Sequence, residues 1–311
     1  MSRVAQHLLV AVLAAASVGA AAQTPPGSAA GGAQHAPPLQ STAAVLWQPS
    51  MNVFRRFDAP AEKMFEFYGA VLGFKQLSTI NLGSGTGVAR FQAGAQELKL
   101  TRRTANRQYQ PGGVEGATGL RLVTFFFGDA DALGRRFAEH GLPAPKFEPV
   151  LGTNRTAALL TDPDGQAVEL VIVPGASAEQ LRAIEVGLTV ADLERSRAFY
   201  RSFVGIEELP PVEDRRFGTT KYSFRHGATT IALRSFRRTL PADTGSGGIQ
   251  YVVSDVDRVA ALAAARSVTV EQPLSGLPGF ALRTIWLDDP DGITNYFAET
   301  AQSREAGAAA R

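Results

Sequence analysis

The chain contains no cysteine among its 311 residues. This excludes disulfides, thiolate catalysis and every metal site that uses sulfur ligands. Histidine is almost as scarce, with four copies: His7, His35, His140 and His226. Two of these lie near the N-terminus, and the other two precede glycines at an expected helix end and an expected hairpin turn. For His140 and His226 we therefore expect surface or capping roles.

No large excess of charge of one sign is present. The formal net charge is +2, and the arginine doublets at 102–103, 215–216 and 237–238 are scattered along the chain. Nucleic-acid binding would need a concentrated basic stripe, so we expect no nucleic-acid partner. Apolar residues make up 45% of the chain, which is ordinary for globular proteins. The length allows about two domains.

The N-terminus has the layout of a secretory signal peptide. Arg3 is a short positive region, residues 8–20 are apolar, and three alanines at 20–22 offer a cleavage site before Gln23. The apolar run is shorter than the roughly 20 residues that a membrane-spanning helix needs. We therefore expect a periplasmic or secreted protein with no membrane span in the mature chain. The alternative interpretation is a buried or amphipathic N-terminal helix.

The remaining sequence repeats itself. Three motifs recur in the same order: Phe-Tyr at 67–68 and 199–200, Asp-x-Asp at 129–131 and 255–257, and Asp-Pro-Asp-Gly at 162–165 and 289–292. The offsets are 132, 126 and 127 positions. Three landmarks at nearly one offset indicate an internal duplication.

Each copy divides again into two units of one kind. In the second copy, residues 185–190 alternate like a half-buried strand, and Asp192 is suited to cap the following helix. Gly205 is suited to end that helix in a left-handed conformation, and residues 218–236 are typical of hairpin strands. The same plan predicts an α+β fold of four βαβββ modules, near 50–105, 119–174, 183–237 and 247–299.

These boundaries predict the organisation of the whole chain. A stretch rich in proline, glycine and alanine is expected to be a disordered leader, and the alanine-rich C-terminus is expected to fray. The predicted segments are a signal peptide (1–22), a leader (23–44), a first domain of two modules (45–178), a second domain of two modules (179–300) and a flexible tail (301–311).

The strand, Asp, helix and Phe-Tyr-x4-Gly opening, with Asp-Pro-Asp-Gly-x3-Glu at 162–169, resembles the vicinal oxygen chelate superfamily. That superfamily includes glyoxalase I, extradiol dioxygenases and bleomycin and fosfomycin resistance proteins. The resemblance covers residues 50–299 and implies two domains with open cups of β-strands. It also implies that His and Glu on the first and last strands of the modules point into a cup and hold a divalent metal, which acts as a Lewis acid.

The positions that match this metal site carry few metal ligands. The first-strand and last-strand positions are Asn52 and Lys99 in the first module, and Leu122 (or a neighbour) and Glu169 in the second. In the third module they are Glu185 and Ala232, and in the fourth Gly248 or Gln250 and Tyr296. Each half thus keeps one carboxylate, whereas hard divalent cations usually take several oxygen ligands. If the second and third modules pair with each other, Glu169 and Glu185 share one cup. We predict no cofactor, with a divalent metal as the alternative.

The first functional hypothesis is an exported protein with a degenerate metal site. It would bind a small organic molecule in a β-cup, with Asn52, Lys99, Gln250 and Tyr296 as candidate ligand-binding residues. A structural or interaction module, whose cup is filled by its own side chains, is a further interpretation.

The second hypothesis is an enzyme. It would be a glyoxalase-like lyase or isomerase, or a dioxygenase-related enzyme, with Glu185, Glu169 or both as catalytic candidates. The identity of the ligand, the pairing of the modules and the oligomeric state are left open by the sequence, because this fold hosts many chemistries.

Overall fold

A computed structural model of the chain describes residues 40–48, 51–81, 87–277 and 280–310. The predicted signal peptide and most of the predicted leader lie outside the described residues. Strands and helices alternate in the order that the duplication predicts, which confirms the α+β class and the four modules.

The first two modules contain eight strands and two helices. The first has β1 (Asn52–Phe57), α1 (Ala61–Phe65), β2 (Lys75–Asn81), β3 (Gly87–Ala93) and β4 (Gln96–Arg102). The second has β5 (Gly119–Phe127), α2 (Ala130–Glu139), β6 (Glu148–Pro149), β7 (Thr156–Thr161) and β8 (Ala167–Ile172). A π-helical segment (Glu66–Val71) continues α1.

The last two modules repeat this plan. The third has β9 (Ile184–Thr189), α3 (Leu193–Ala198), β10 (Glu207–Glu208), β11 (Val212–Asp214), β12 (Thr219–His226) and β13 (Thr229–Arg234). The fourth has β14 (Gly247–Val252), α4 (Val256–Ala265), β15 (Val270–Gly276), β16 (Leu282–Asp288) and β17 (Thr294–Thr300). A π-helical segment (Phe199–Val204) continues α3, and α5 (Ala301–Ala309) follows β17. Three 3-10 turns lie at Thr42–Val45, Gly113–Glu115 and Gln180–Arg182.

The helix ends follow the local sequence signals. The Asp192 carboxylate accepts a hydrogen bond from the Arg195 N–H at the start of α3, as expected for an N-cap aspartate. Gly205 has a φ of +82° at the end of the same helix, a conformation that favours glycine. These predictions are confirmed.

The modules pair across the duplication rather than within each half. Antiparallel pairing of β1 with β14 joins the first and fourth modules in an eight-stranded sheet, β15-β16-β17-β14-β1-β4-β3-β2. Antiparallel pairing of β5 with β9 joins the second and third modules in a nine-stranded sheet whose main path is β10-β12-β13-β9-β5-β8-β7-β6. Each half therefore contributes one module to each sheet.

The two Asp-Pro-Asp-Gly turns tie the modules of each half together. Asp162 accepts hydrogen bonds from the Tyr68 hydroxyl (2.7 Å) and the Arg55 guanidinium (2.9 Å). The equivalent Asp289 accepts a hydrogen bond from the Tyr200 hydroxyl at 2.9 Å. The repeated tyrosine and the repeated turn are thus one hydrogen-bonded unit in three dimensions.

Two terminal predictions are wrong in part. Residues of the predicted flexible tail form α5, because the Thr300 hydroxyl and the Ser303 hydroxyl satisfy each other's backbone N–H groups in a capping box. Residues 40–44 of the predicted leader are ordered, and the buried Thr42 hydroxyl donates to the Val204 carbonyl at 2.9 Å. Within the described residues, no helix combines the length and the apolar character needed to cross a membrane.

Candidate functional site

Each sheet has one face packed on the helices and an opposite face, which we call its cup. Apolar side chains such as Val53, Leu98 and Val186 share the helix-packed core, and the residues that alternate with them face the cup. The outer cup belongs to the first and fourth modules, and the inner cup to the second and third.

A row of polar side chains crosses the inner cup on four neighbouring strands. Glu185 on β9 pairs with Thr124 on β5, and Thr124 pairs with Glu169 on β8. Thr230 on β13 pairs with Glu185 from the other side. The structure thus brings the two candidate glutamates into one cup, two strands apart.

The inner-cup row differs from the sequence prediction at two positions. Leu122 and Ala232 were the expected partners of the glutamates. Both pair instead with Gly187, which lies two residues after Glu185 on the same face of β9. Thr124 and Thr230 stand level with the glutamates instead. Hydroxyl groups therefore accompany the two carboxylates.

Cationic side chains bind both carboxylates of the inner cup. An Nη of Arg216 lies 2.7 Å from one oxygen of Glu169, and the Thr124 hydroxyl donates to the other oxygen at 2.9 Å. The Lys221 ammonium contacts both oxygens of Glu185, at 3.1 and 2.8 Å. Glu169 and Glu185 keep 15% and 13% side-chain exposure, so solvent still reaches them.

A segment that we call the flap, residues 212–218, brings further charge to this cup. Its strand β11 pairs with β12, and Arg216 also donates to the Ala157 carbonyl of the second module at 3.2 Å. Asp214 accepts a hydrogen bond from Nε of Arg234 at 2.8 Å, and the Phe217 ring lies 5.2 Å from the Arg234 guanidinium carbon.

The two glutamates have opposite pKa shifts. Burial and, after it, the negative charge of Glu185 raise the pKa of Glu169. Burial also acts to raise the pKa of Glu185, but the charges of Lys221 and Arg234 outweigh it and leave this pKa below its ordinary value. Of the two, Glu169 is the one poised to take up a proton.

The four candidate ligand-binding residues meet in the outer cup. Asn52 pairs with Gln250, which pairs with Tyr296. The Gln250 side-chain oxygen accepts hydrogen bonds from the Asn52 amide at 3.2 Å and the Lys99 ammonium at 2.5 Å. Burial lowers the pKa of Lys99 to about 8.

The register position of Lys99 in this row, that is, which residue on the neighbouring strand it pairs with, was predicted incorrectly. Lys99 is level with Phe54, and the Glu97 N–H donates to the Asn52 side chain at 2.9 Å. The position that corresponds to a last-strand ligand is therefore Glu97. Its carboxylate binds Arg90 through two hydrogen bonds, of 2.9 and 2.5 Å.

Aromatic side chains fill the outer cup. The ring centroids of Trp286 and Tyr296 are 5.0 Å apart, and those of Phe54 and Tyr296 are 6.0 Å apart. All three side chains are buried, and the Tyr296 hydroxyl has no hydrogen-bond partner among the described residues. These rings close their part of the outer cup with its own side chains, whereas Glu97 in the same cup keeps 21% side-chain exposure.

The inner cup carries smaller or polar residues at the same three positions. By strand register, Gly187 corresponds to Phe54, Leu159 to Trp286 and Glu169 to Tyr296. Leu159 is 47% exposed, whereas its counterpart Trp286 is buried. The inner cup is therefore the candidate functional site.

Two cavities lie outside the inner-cup row. One, of about 980 Å³, is bordered by Asn52, Glu97, Arg182 and Arg225, at the rim of the outer cup. The other, of about 730 Å³, lies between α1, α2 and β7 and includes His140. His140 caps α2 and contacts Glu66 at 2.9 Å, so it lies away from both cups.

The residues of the inner cup do not fit the divalent metal that the resemblance implies. Each of three carboxylates in this cup forms an ion pair with a cation: Glu169 with Arg216, Glu185 with Lys221, and Asp214 with Arg234. A divalent cation would have to displace these partners and would be repelled by them. In the outer cup, Lys99 and Arg90 outnumber the single carboxylate of Glu97.

Sequence reasoning did not identify the cations of the inner cup. Arg216 belongs to a doublet that is typical of a solvated surface, and its contact with Glu169 spans 47 positions. Lys221 and Arg234 lie on strands, where alternation identifies the cup face but not the partner. Tertiary pairing was the missing information.

The comparisons with known proteins agree with this architecture. The family model "Glyoxalase/Bleomycin resistance protein/Dioxygenase superfamily" matches residues 50–170 and 182–297. No curated protein sequence matches the chain.

Solved structures show the same fold at low sequence identity. Glyoxalase I from Zea mays is 19% identical, covers 80% of this chain and 92% of its own, and has a TM-score of 0.62. A dioxygenase candidate from Bacillus subtilis is 15% identical, covers 85% of this chain and 87% of its own, and has a TM-score of 0.59. At these identities the likeness concerns the fold alone. With a family match on both of its halves, the chain belongs to the Glyoxalase/Bleomycin resistance protein/Dioxygenase superfamily.

Proposed function

We propose that this chain is an exported protein that binds a small organic molecule in the inner cup without a metal ion. The observation that carries the proposal is the pairing of Glu169 with Arg216 and of Glu185 with Lys221. These pairs occupy the oxygens that a metal would need, in a cup that solvent still reaches. If the chain is exported, the mature protein should be found in the periplasm or the medium, and its intact mass should correspond to a chain that starts at Gln23.

The composition of the inner cup suits an organic ligand. Leu159 and Val212 are exposed, and Phe217 is partly buried beside the ionic row. Small-molecule sites typically combine apolar walls with a few fixed polar groups. Thr124 and the two ion pairs supply those polar groups here.

The wild-type protein is expected to bind divalent metal at well below one ion per chain. Equilibrium dialysis against Mn²⁺ or Zn²⁺, followed by mass spectrometry of the metal, measures this. The double variant Arg216→Gln with Lys221→Gln removes the nearest cation from each carboxylate and should bind Mn²⁺ about tenfold or more tightly than wild type, because hard cations prefer carboxylate oxygens.

The matched control is Arg215→Gln, since Arg215 is exposed and forms an ion pair with Glu213, away from both glutamates of the cup. It should leave metal binding unchanged. One ion per wild-type chain, lost on replacing Glu169 by Gln, would contradict the metal-free proposal.

A second candidate function is proton transfer by Glu169. The observation that favours it is that the pKa values of the two carboxylates are shifted in opposite directions. Burial and the charge of Glu185 raise the pKa of Glu169, whereas Lys221 and Arg234 hold the pKa of Glu185 low. A general base works best with a pKa near the operating pH. A glyoxalase-like isomerase or lyase would use such a group on a carbon acid next to a carbonyl.

Exchange of pyruvate methyl protons with deuterium, followed by proton NMR, tests this second function. If Glu169 is the base, the wild-type protein should exchange these protons faster than solvent alone. The exchange rate with Glu169→Gln should be about 10²-fold or more lower than with the wild type. Glu207→Gln, at an exposed pair with Arg225, is the control. Exchange at the solvent rate in wild type would leave binding as the function of the cup.

A further inference from the structure

One guanidinium on the floor of the inner cup has an unused hydrogen-bond donor. The Arg234 side chain is 3% exposed. Its Nε donates to Asp214 at 2.8 Å, and Nη2 lies 3.5 Å from Glu185. Nη1 is buried and has no hydrogen-bond partner among the described residues. Buried donors, above all charged ones, are rarely left unpaired because the desolvation penalty is then uncompensated.

The partner that Arg234 does have is a carboxylate from the flap. Asp214 reaches the guanidinium through one nitrogen only. Arginine forks commonly bind a carboxylate through two parallel hydrogen bonds. Asp214 therefore occupies the site of a carboxylate without completing its geometry.

The surroundings of Arg234 favour an anion with an apolar body. The Phe217 ring lies 5.2 Å from the guanidinium carbon. A Cβ added to Gly187 would lie 3.0 Å from Nη1, so the absence of a side chain there makes room for the guanidinium. When Asp214 is displaced, Arg216, Lys221 and Arg234 outnumber the remaining glutamates of the cup.

We infer that the inner cup takes a small organic carboxylate, which replaces Asp214, binds the Arg234 guanidinium through Nε and the adjacent Nη2, and packs its apolar part on Phe217. This inference rests on the proposed binding function and specifies its ligand class. The flap carries both the displaced carboxylate and the packing ring, so its residues would determine specificity.

Benzoate and its neutral analogue benzamide are the probes that test the ligand class. Their affinities for the mature protein are measured by the rise in melting temperature with concentration, since a ligand of the folded state stabilises it by mass action, and by calorimetric titration. Benzoate is expected to bind at least about tenfold more tightly than benzamide, because its charge-assisted hydrogen bonds are the stronger ones.

Two variants test the proposed contact. Asp214→Asn keeps the shape but removes the competing charge, and should tighten benzoate binding about tenfold. Arg234→Gln should weaken it about tenfold or more. Arg238→Gln, at an exposed arginine paired with Glu115, is the control and should change nothing. The gain in Asp214→Asn cannot arise from misfolding, so the test does not depend on the stability of Arg234→Gln.

Each outcome separates the ligand class from the binding function. Equal affinity for benzamide and benzoate would refute the carboxylate class while leaving the cup as a binding site. Benzoate binding that is unchanged in both Asp214→Asn and Arg234→Gln would refute the Arg234 site. No binding of either probe to wild type or to Asp214→Asn would refute both the inference and the cup as a site for such ligands.

Discussion

Replacing Arg55 by methionine is expected to lower the free energy of unfolding by about 3–5 kcal/mol. Arg55 and Asp162 form an ion pair at 2.9 Å with side-chain exposures of 1% and 0%. Arg55 also donates to Tyr68 at 3.1 Å and to the Ala167 carbonyl at 2.6 Å. Methionine fills similar space but leaves the Asp162 carboxylate buried without its cation. Chemical denaturation at neutral pH measures the loss.

The control for Arg55→Met is the same change at an exposed pair. Arg225 and Glu207 are 50% and 59% exposed, so Arg225→Met should cost less than about 1 kcal/mol. The double variant Arg55→Met with Asp162→Asn removes both charges and should recover part of the loss. Equal effects at Arg55 and Arg225 would show that the buried pair does not hold the first two modules together.

The stability of the protein is expected to fall between pH 4 and pH 8 through Asp289. Burial raises the pKa of Asp289 from 3.8 to about 7. The counterpart of Asp289 in the first half, Asp162, is ion-paired with Arg55. In the second half the residue equivalent to Arg55 is Leu188: Arg55 lies three positions after Asn52, and Leu188 lies three positions after the aligned Glu185. In the part of the chain that the structure describes, Asp289 is therefore a buried carboxyl group without a paired cation.

The direction of this effect follows from proton linkage. Because the folded-state pKa lies above the unfolded value, the folded state retains the proton to higher pH. Its contribution is fully present below about pH 4 and is lost as the pH rises through 7. At about 1.4 kcal/mol per pKa unit, the loss is on the order of 4 kcal/mol.

Asp289→Asn removes the titration and should flatten the pH dependence of unfolding between pH 4 and pH 8. The measurement is chemical denaturation across this range, with Asp162→Asn as the control, because Asp162 is ion-paired and its replacement should bring no gain at high pH. A pH dependence identical to wild type in Asp289→Asn would assign the effect to other groups.

The two cups of the duplicated plan differ in the side chains that fill them. Phe54, Trp286 and Tyr296 fill the outer cup with rings in contact, of which those of Trp286 and Tyr296 are stacked. Their packing stabilises the sheet by burying a large apolar area. The inner cup has Gly187 and Glu169 at two of these positions and keeps accessible charge. At these positions the outer cup is therefore the more completely filled of the two.

Local signals were sufficient to predict the modules. The cap at Asp192, the left-handed Gly205 and the strand alternation around Glu185 depend on residues within one turn or one strand, and the structure confirms each. Alternation also identified which side chains face a cup, because the side chains of a strand point to opposite faces with period two. The positions of Asn52 and Glu169 came from the family resemblance, and both residues face a cup in the structure.

Alternation does not determine the level of a residue along the cup. Lys99 was predicted where Glu97 stands, and Leu122 where Thr124 stands, each displaced by one repeat of two residues. Such a displacement keeps the side chain on the same face, so nothing in the single strand reveals it. Hydrogen-bonded register between strands decides the level.

What the sequence determined by itself is the duplicated module, its helix ends and the faces of its strands, since these depend on neighbours in the chain. Only the tertiary structure decided that the first module pairs with the fourth and the second with the third. The same pairing brought Arg216 into an ion pair with Glu169. These contacts join residues far apart in sequence, and their free energy depends on burial and register that no local pattern records.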